Sequence, residues 1–268
     1  MTDLTDVETH FEFGKNWADY ARQITEEEVA DAQAGLASLV PADRIAGASF
    51  LDIGSGSGLH SLAAARLGAS SITAVDIDPD SVATTRSVLA RFGVEADVRQ
   101  SSVFDIASLG RTFDIVYSWG VLHHTGAMWR AIDEASKMVA DNGLFAIALY
   151  KKTPACGLWK VEKRLYTAAP EFIRKTARAG LGGAILASHA IRGRSPRSHV
   201  SGHVGRGMKF WTDIHDWLGG YPYESCSLAE IDEFMAARGF TRESANVVKT
   251  HAFGIFGTGC SEFLYRRH

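Results

Sequence analysis

The chain has 268 residues, 46% of them hydrophobic, with a formal net charge of -3. That length and apolar content suit one α/β domain with an addition, or at most two domains. The charge gives no general electrostatic case for nucleic acid, and no uninterrupted apolar run approaches the ~20 residues of a membrane span.

Residues 1–47 read as a helical preface. Phe11-Glu12-Phe13-Gly14-Lys15-Asn16-Trp17-Ala18-Asp19-Tyr20 is aromatic-rich, with Trp17 and Tyr20 three apart on one helical face. Glu26 to Leu39 is the first clear helix, with Val29, Ala32, Leu36 and Leu39 as its apolar stripe and Pro41 as its stop. Phe50 to Ile53 is a strand running into Gly54-Ser55-Gly56-Ser57-Gly58. Leu59 to Leu67 is an alanine-rich helix closed by Gly68, and Ser71 to Val75 is a second strand ending at Asp76. Pro79 opens a helix to about Phe92, Ala96 to Gln100 is a third strand and Phe113 to Ser118 a fourth. Met128 to Ala140 reads as a helix stopped by Asp141-Asn142-Gly143, and Leu144 to Tyr150 as a fifth strand. Strands alternating with helices imply a parallel sheet.

The alternation then breaks. Residues 151–226 hold helix-like pieces at Gly157 to Ala168 and Glu171 to Ala179, then a glycine- and arginine-rich loop from Arg192 to Gly207. An aromatic segment from Phe210-Trp211 to Tyr223 follows. A helix from Leu228 to Arg238 and strands at Phe240 to Lys249 and Ser261 to Tyr265 resume the pattern. The expected organisation is a helical cap over 1–47, a nucleotide-binding core over 48–150, an inserted lid over 151–226, and a helix and hairpin over 227–268 that complete the sheet. The lid would lie over the carboxyl edge, where open α/β sheets bind ligands.

The glycine loop is not the G-x-G-x-x-G of dinucleotide binding, and no P-loop run occurs. Its spacing is G-x-G-x-G led by Asp52, an acid better suited to a cationic ligand than to a pyrophosphate. Asp76, 18 residues past Gly58, lies where a carboxylate can take both hydroxyl protons of a ribose. With these features in order the chain resembles the class I S-adenosylmethionine (SAM)-dependent methyltransferases. That likeness implies a Rossmann-like seven-stranded sheet with helices on both faces and an antiparallel closing hairpin.

The resemblance implies that Asp52, Gly54, Ser55, Gly56 and Gly58 line the methionine and ribose end of SAM. Asp76 would hold the ribose diol and Ile77 pack on adenine. Ser102 stands where many relatives carry an acid for the adenine amine, so the Ser102 hydroxyl or the Val103 amide would substitute. Asp105 reads as a turn or helix cap. Trp17 and Tyr20 would cover the pocket. Phe113 to His124 looks like the fourth motif, with Trp119 near the cofactor. This segment lacks the [DNS]-P-P-[YFW] of base-amine methylation, and none of Cys156, Cys226 and Cys260 follows a proline as a C5-pyrimidine nucleophile does.

His123 and His124 are the titratable pair nearest the expected reaction centre, and a neutral histidine can deprotonate a hydroxyl near pH 7. His215, next to Asp216, is a second candidate base. His60 reads as structural or as an edge of the cofactor site. Arg206, Trp211, Tyr221 and Tyr223 are candidate acceptor contacts, aromatics suiting a flat acceptor and arginine an anion. Arg192, Arg194, Arg197 and Lys209 are further cations of that segment. The preface, the aromatic segment and Gly257-Thr258-Gly259-Cys260-Ser261-Glu262-Phe263 resemble a small-molecule subgroup grouped loosely with the ubiquinone-biosynthesis O-methyltransferases. Methyl transfer to a small-molecule hydroxyl is the leading expectation. N- or C-methylation, a nucleotide or RNA acceptor, and a SAM-binding regulator without turnover are the rivals. Three scattered cysteines without a zinc spacing point to free thiols and no metal. Together with an acidic amino terminus lacking a signal-peptide pattern, they point to the cytoplasm. The oligomeric state is open, a dimer included.

Overall fold

A computed structural model describes residues 17, 20–191, 193, 195, 210–250, 254–255 and 259–268, the side chains of 212, 213 and 216 excepted. Helix α1 (Glu26–Leu39) starts with a capping box in which Thr25 and Glu28 satisfy each other's backbone N–H groups, and α2 (Ala42–Ile45) follows it. Next come β1 (Ser49–Ile53), α3 (Leu59–Arg66), β2 (Ser71–Asp76), α4 (Pro79–Arg91), β3 (Asp97–Gln100) and β4 (Phe113–Trp119). Helix α5 (Met128–Lys137) and β5 (Val139–Tyr150) follow, then α6 (Cys156–Ala168), α7 (Glu171–Ile191) and α8 (Phe210–Gly219). The chain ends with α9 (Leu228–Ala236), β6 (Phe240–Asn246) and β7 (Cys260–Arg267).

One seven-stranded sheet has the order β3-β2-β1-β4-β5-β7-β6. The first five strands run parallel, and β7 lies antiparallel between β5 and β6. The central strands are apolar on both faces because both faces are covered. Phe50, Ile115, Tyr117, Leu144 and Ala146 point into one core with Leu36, Leu62 and Val88. Leu51, Ile53, Val116, Phe145 and Ile147 point into the other with Ile132, Ile231 and Met235. This strict alternation of neighbours is the period-two signature of a sheet buried between helix layers.

Two boundaries differ from the sequence expectation. Asp141-Asn142-Gly143 does not end a helix: α5 stops at Lys137, and the turn lies inside β5, with Asn142 at φ 61°. The extra residues are absorbed as a shift in the β4–β5 pairing between Phe113 and Ile115. Helix α7 runs on to Ile191 through Gly180 and Gly182-Gly183 instead of ending at Ala179. Gly182 is buried, and a Cβ there would lie 2.4 Å from the Trp211 ring, so its missing side chain is what lets α8 close on α7.

The two ends of the segment 151–226 meet. Lys151 and Cys226 form a parallel bridge, Cys226 N–H donates to Tyr150 O at 3.1 Å, and Lys152 N–H donates to Cys226 O at 2.8 Å. Between them, α6, α7 and α8 build their own small core from Tyr166, Phe210, Ile214 and Leu218. All of this stands at the carboxyl end of β5. Among the described residues no helix is long and apolar enough to cross a membrane, and no group of three or more His, Cys, Asp or Glu could hold a metal ion.

Candidate functional site

The loop after β1 is held from three sides. Gly54 N–H and Ser55 N–H both donate to Val75 O, at 2.8 and 3.1 Å. Gly56 N–H donates to Asp76 Oδ2 and Asp78 N–H to Asp76 Oδ1, both at 3.0 Å. From α4, Thr85 Oγ1 donates to Gly56 O at 3.1 Å and lies 3.0 Å from Ser55 Oγ. Gly54 and Gly58 both sit at φ 77°, where a side chain is strained, and a Cβ on Gly54 would lie 2.4 Å from Val121. The glycines thus bring the chain after β4 against the loop, so the ends of β1 and β4 share one site.

Trp17 lies over the loop: a Cβ on Gly56 would be 3.2 Å from its Nε1. Tyr20 meets Trp17 edge-on with centroids 6.0 Å apart, but its own side chain is buried in the core with Val29 and Leu36. Asp52 is buried behind the loop and accepts from Ser61 Oγ of α3 at 2.6 Å. Burial pushes the Asp52 carboxyl up to about 7, with Asp76 adding to the rise, and burial pushes Asp76 up to about 6. The Asp76 carboxyl also has the Ile77 backbone N–H as a partner, so the loop amides gather around it. Gln100 Nε2 donates to Ile77 O at 3.0 Å. Ser102 caps the 3-10 turn Val103–Leu109 by accepting from Phe104 N–H at 3.2 Å, while Val103 is buried. Asp105 lies in the first turn of this segment, as one of its two expected roles had it, and the cap is Ser102.

Past β4, Ser118 Oγ donates to Ile53 O at 3.0 Å, and Trp119 Nε1 donates to Glu262 Oε1 of β7 at 2.9 Å. His60 lies with its centroid 5.3 Å from that of Tyr117 and 6.3 Å from that of Trp119. The 3-10 turn Leu122–His124 separates the two histidines. His123 is fully buried, its ring centroid 4.2 Å from those of both His124 and Tyr150. Burial, with His124 and Lys163 nearby, holds it well below the usual histidine range. His124 is partly exposed, and its Nδ1 lies 2.8 Å from Pro222 O. A carbonyl only accepts, so Nδ1 is the donor of this bond. Pro222 is fixed in turn by Glu224, whose N–H donates to His123 O at 3.1 Å and whose Oε2 accepts from Met128 N–H at 2.9 Å.

Tyr150 and Tyr223, with centroids 5.1 Å apart, extend this wall to α6. There the buried Lys163 Nζ donates to Trp217 O and lies 4.8 Å from the Trp217 ring and 5.6 Å from each tyrosine ring. Burial lowers the Lys163 pKa. Tyr221 directly precedes Pro222. Trp211 lies apart, against Gly182. His215 lies on α8, with Nδ1 2.9 Å from Tyr166 Oη and 3.0 Å from Arg178 Nη1. Burial and the Arg178 cation hold it down at about 4. Arg206, Arg192, Arg194, Arg197, Lys209 and residues 11–16 lie outside the described residues, as does the Asp216 side chain.

Sequence reasoning missed Thr85, Ser61, Glu262, Pro222 and Lys163. A carboxylate in the apolar run of β7 was the one local signal, at Glu262.

A glycine loop after the first strand, an acid after the second, and a sheet ordered with one antiparallel strand next to its edge together define the SAM-dependent methyltransferase fold. Residues 51–147 match the family model described as "Methyltransferase domain". The chain is 33% identical over 107 residues to a ubiquinone biosynthesis O-methyltransferase of Azorhizobium caulinodans, covering 40% of this chain and 42% of that one. It is 35% identical over 112 residues to the protein of the same name in Xanthomonas euvesicatoria, covering 41% of this chain and 46% of that one. The match therefore spans less than half the length of these relatives. The magnesium protoporphyrin IX methyltransferase of Synechocystis with bound S-adenosylhomocysteine (SAH) shares the fold, with TM-score 0.54 and 16% identity over 90% of this chain and 83% of that one.

Proposed function

We propose that the protein transfers a methyl group from SAM to a hydroxyl of a small-molecule acceptor, releasing SAH. SAM, when bound, supplies an already activated methyl on a cationic sulfur, so the protein's work is to bind, align, exclude water and take a proton. Asp76 and the amides of the glycine loop would hold the ribose, with Ile77 and Val103 beside the base. Trp17 closes over the loop and keeps water out. The observation that carries the choice of a hydroxyl is His124. Its Nδ1 donates to Pro222 O, so in the neutral ring the basic nitrogen is Nε2. Tyr150 and Tyr223, both buried, form an aromatic wall behind His124. The helices α6, α7 and α8 act as the lid over this wall, and residues before β1 act as the cap over the cofactor. A screen of phenols, aliphatic alcohols, amines and nucleotides, read by SAH release, tests the assignment. Turnover of a hydroxyl compound is expected, and turnover restricted to amines or nucleotides would reverse it.

The buried carboxylates give a pH signature. Asp52 and Asp76 titrate above their ordinary value of 3.8 in the folded protein, so between about pH 4 and pH 7 the folded state holds more protons than the unfolded one. Their contribution to stability is full below about pH 4 and is lost as pH rises through 6 to 7. A cation bound beside them favours the charged forms, so SAM binding releases protons. The rise in melting temperature caused by SAM is expected to grow from about pH 5.5 to about pH 8, and less so for uncharged-sulfur SAH. An identical, flat response to both ligands would place the sulfonium away from these acids.

A further inference from the structure

Lys163 is 0% exposed, on a helix whose Lys160 and Arg164 face solvent. An apolar side chain of the same length would fill that space without the desolvation of an ammonium, so packing alone does not account for a lysine there. Its Nζ donates to Trp217 O of α8 and lies within 5.6 Å of the Trp217, Tyr150 and Tyr223 rings. A desolvated cation is attracted to each of those rings. One charge thus draws α6 to α8, to the last residue of β5 and to the stretch that carries Pro222. Two contacts run alongside it. The Trp159 ring of α6 meets that of Trp217 edge-on with centroids 4.7 Å apart, and Cys156 Sγ lies 3.3 Å from Tyr223 Oη.

What Lys163 grips is what His124 leans on. The Tyr150 centroid is 4.2 Å from that of His123 and 5.4 Å from that of His124. Tyr223 directly follows Pro222, whose carbonyl receives the His124 Nδ1–H at 2.8 Å. The titratable groups that face the ammonium are Glu162 on its own helix, His123 after β4, Tyr150 of β5, Tyr223, and Cys260 of β7. On α8 the side chains of Asp213 and Asp216 lie outside the described residues. Burial pushes Glu162 up to about 7 and Lys163 down to about 8, so Lys163 is charged at neutral pH and loses its proton as pH rises through that value.

We propose that Lys163 is a positioning residue for the methyl transfer proposed above: its ammonium clamps α6 and α8 onto Tyr150 and Tyr223 and so holds the aim of His124 from behind. It touches neither donor nor acceptor. The inference rests on the reading of His124 as the base.

The test uses the full chain saturated with SAH and labelled for NMR at histidine and lysine. The His124 ring is expected to show a second inflection near pH 8, with the midpoint of the Lys163 Cε signal, that is absent from Lys163→Met. Lys163→Met keeps the length of the stem and removes the charge and the donor. It is expected to lower kcat for a hydroxyl acceptor about 10- to 100-fold, with calorimetric SAM affinity unchanged. A stem that only fills space would move neither readout. A single inflection in the unsubstituted protein, an inflection that persists in Lys163→Met, or full turnover by that variant overturns the proposal. Where Lys163→Met fails to fold, which lost SAM binding reports, the inflection of the unsubstituted protein and its match to the Lys163 signal decide. Normal turnover in His124→Ala removes the reaction reading instead, and the inflection needs no acceptor, so the two failures are told apart.

Discussion

His124→Ala is expected to lower turnover about 10²–10⁴-fold while leaving SAM affinity unchanged. Of the three histidines that the sequence offers as a base, only this one combines a basic nitrogen with a partly open position. His123 is sealed between His124 and Tyr150. His215 is held at about 4 by burial and by Arg178, too weak a base for a hydroxyl near neutral pH. Pro222 O fixes the His124 tautomer, and Glu224 fixes Pro222. His124→Asn should lose as much as the alanine variant, because it keeps a donor for Pro222 O and has no basic nitrogen. Initial rates at saturating SAM, with calorimetric affinity measured alongside, decide the matter. Near-normal turnover in either variant would remove His124 from the chemistry.

Asp76→Ala is expected to weaken SAM binding by about 1–3 kcal/mol, which is about 5- to 150-fold in affinity. The carboxylate has two duties. It ties Gly56 N–H and Asp78 N–H, so it shapes the loop, and in the proposed function it also meets the ribose. Asp76→Asn keeps the size but turns one oxygen into an N–H donor that faces an amide donor. It should therefore lose a similar amount. The partner prediction is that SAH weakens in step with SAM, because both carry the same ribose. An unchanged dissociation constant for Asp76→Ala would sink the ribose assignment.

The sheet was legible because its signals are local. Apolar runs such as Phe50 to Ile53 and Phe113 to Ser118 can be buried on both faces only in a covered sheet, and the glycine loop and Asp76 punctuate it at fixed spacing. Asp141-Asn142-Gly143 misled because the same three residues can end a helix or bend a strand. Which occurs depends on the β4 partner that absorbs the extra residues. Helix α7 outran its expected end because the tolerance for Gly182 comes from Trp211, a residue far along the chain. Lys163 illustrates the limit at the site. A lysine on an amphipathic helix reads as solvent-facing, and only the convergence of Tyr150, Trp217 and Tyr223 makes it a buried ammonium. The two adjacent histidines were equivalent as letters. The 3-10 turn Leu122–His124 separates them by burying one and pointing the other at Pro222 O.

Calorimetric titration of the unsubstituted protein with SAM and SAH, with NAD as the control, tests the central claim most directly. Saturable binding of SAM and SAH with dissociation constants on the order of micromolar, and no heat with NAD, is the predicted result. Binding of NAD, with no heat from SAM or SAH at any pH where the protein is folded, would contradict the assignment of the glycine loop and Asp76 to the methyl donor.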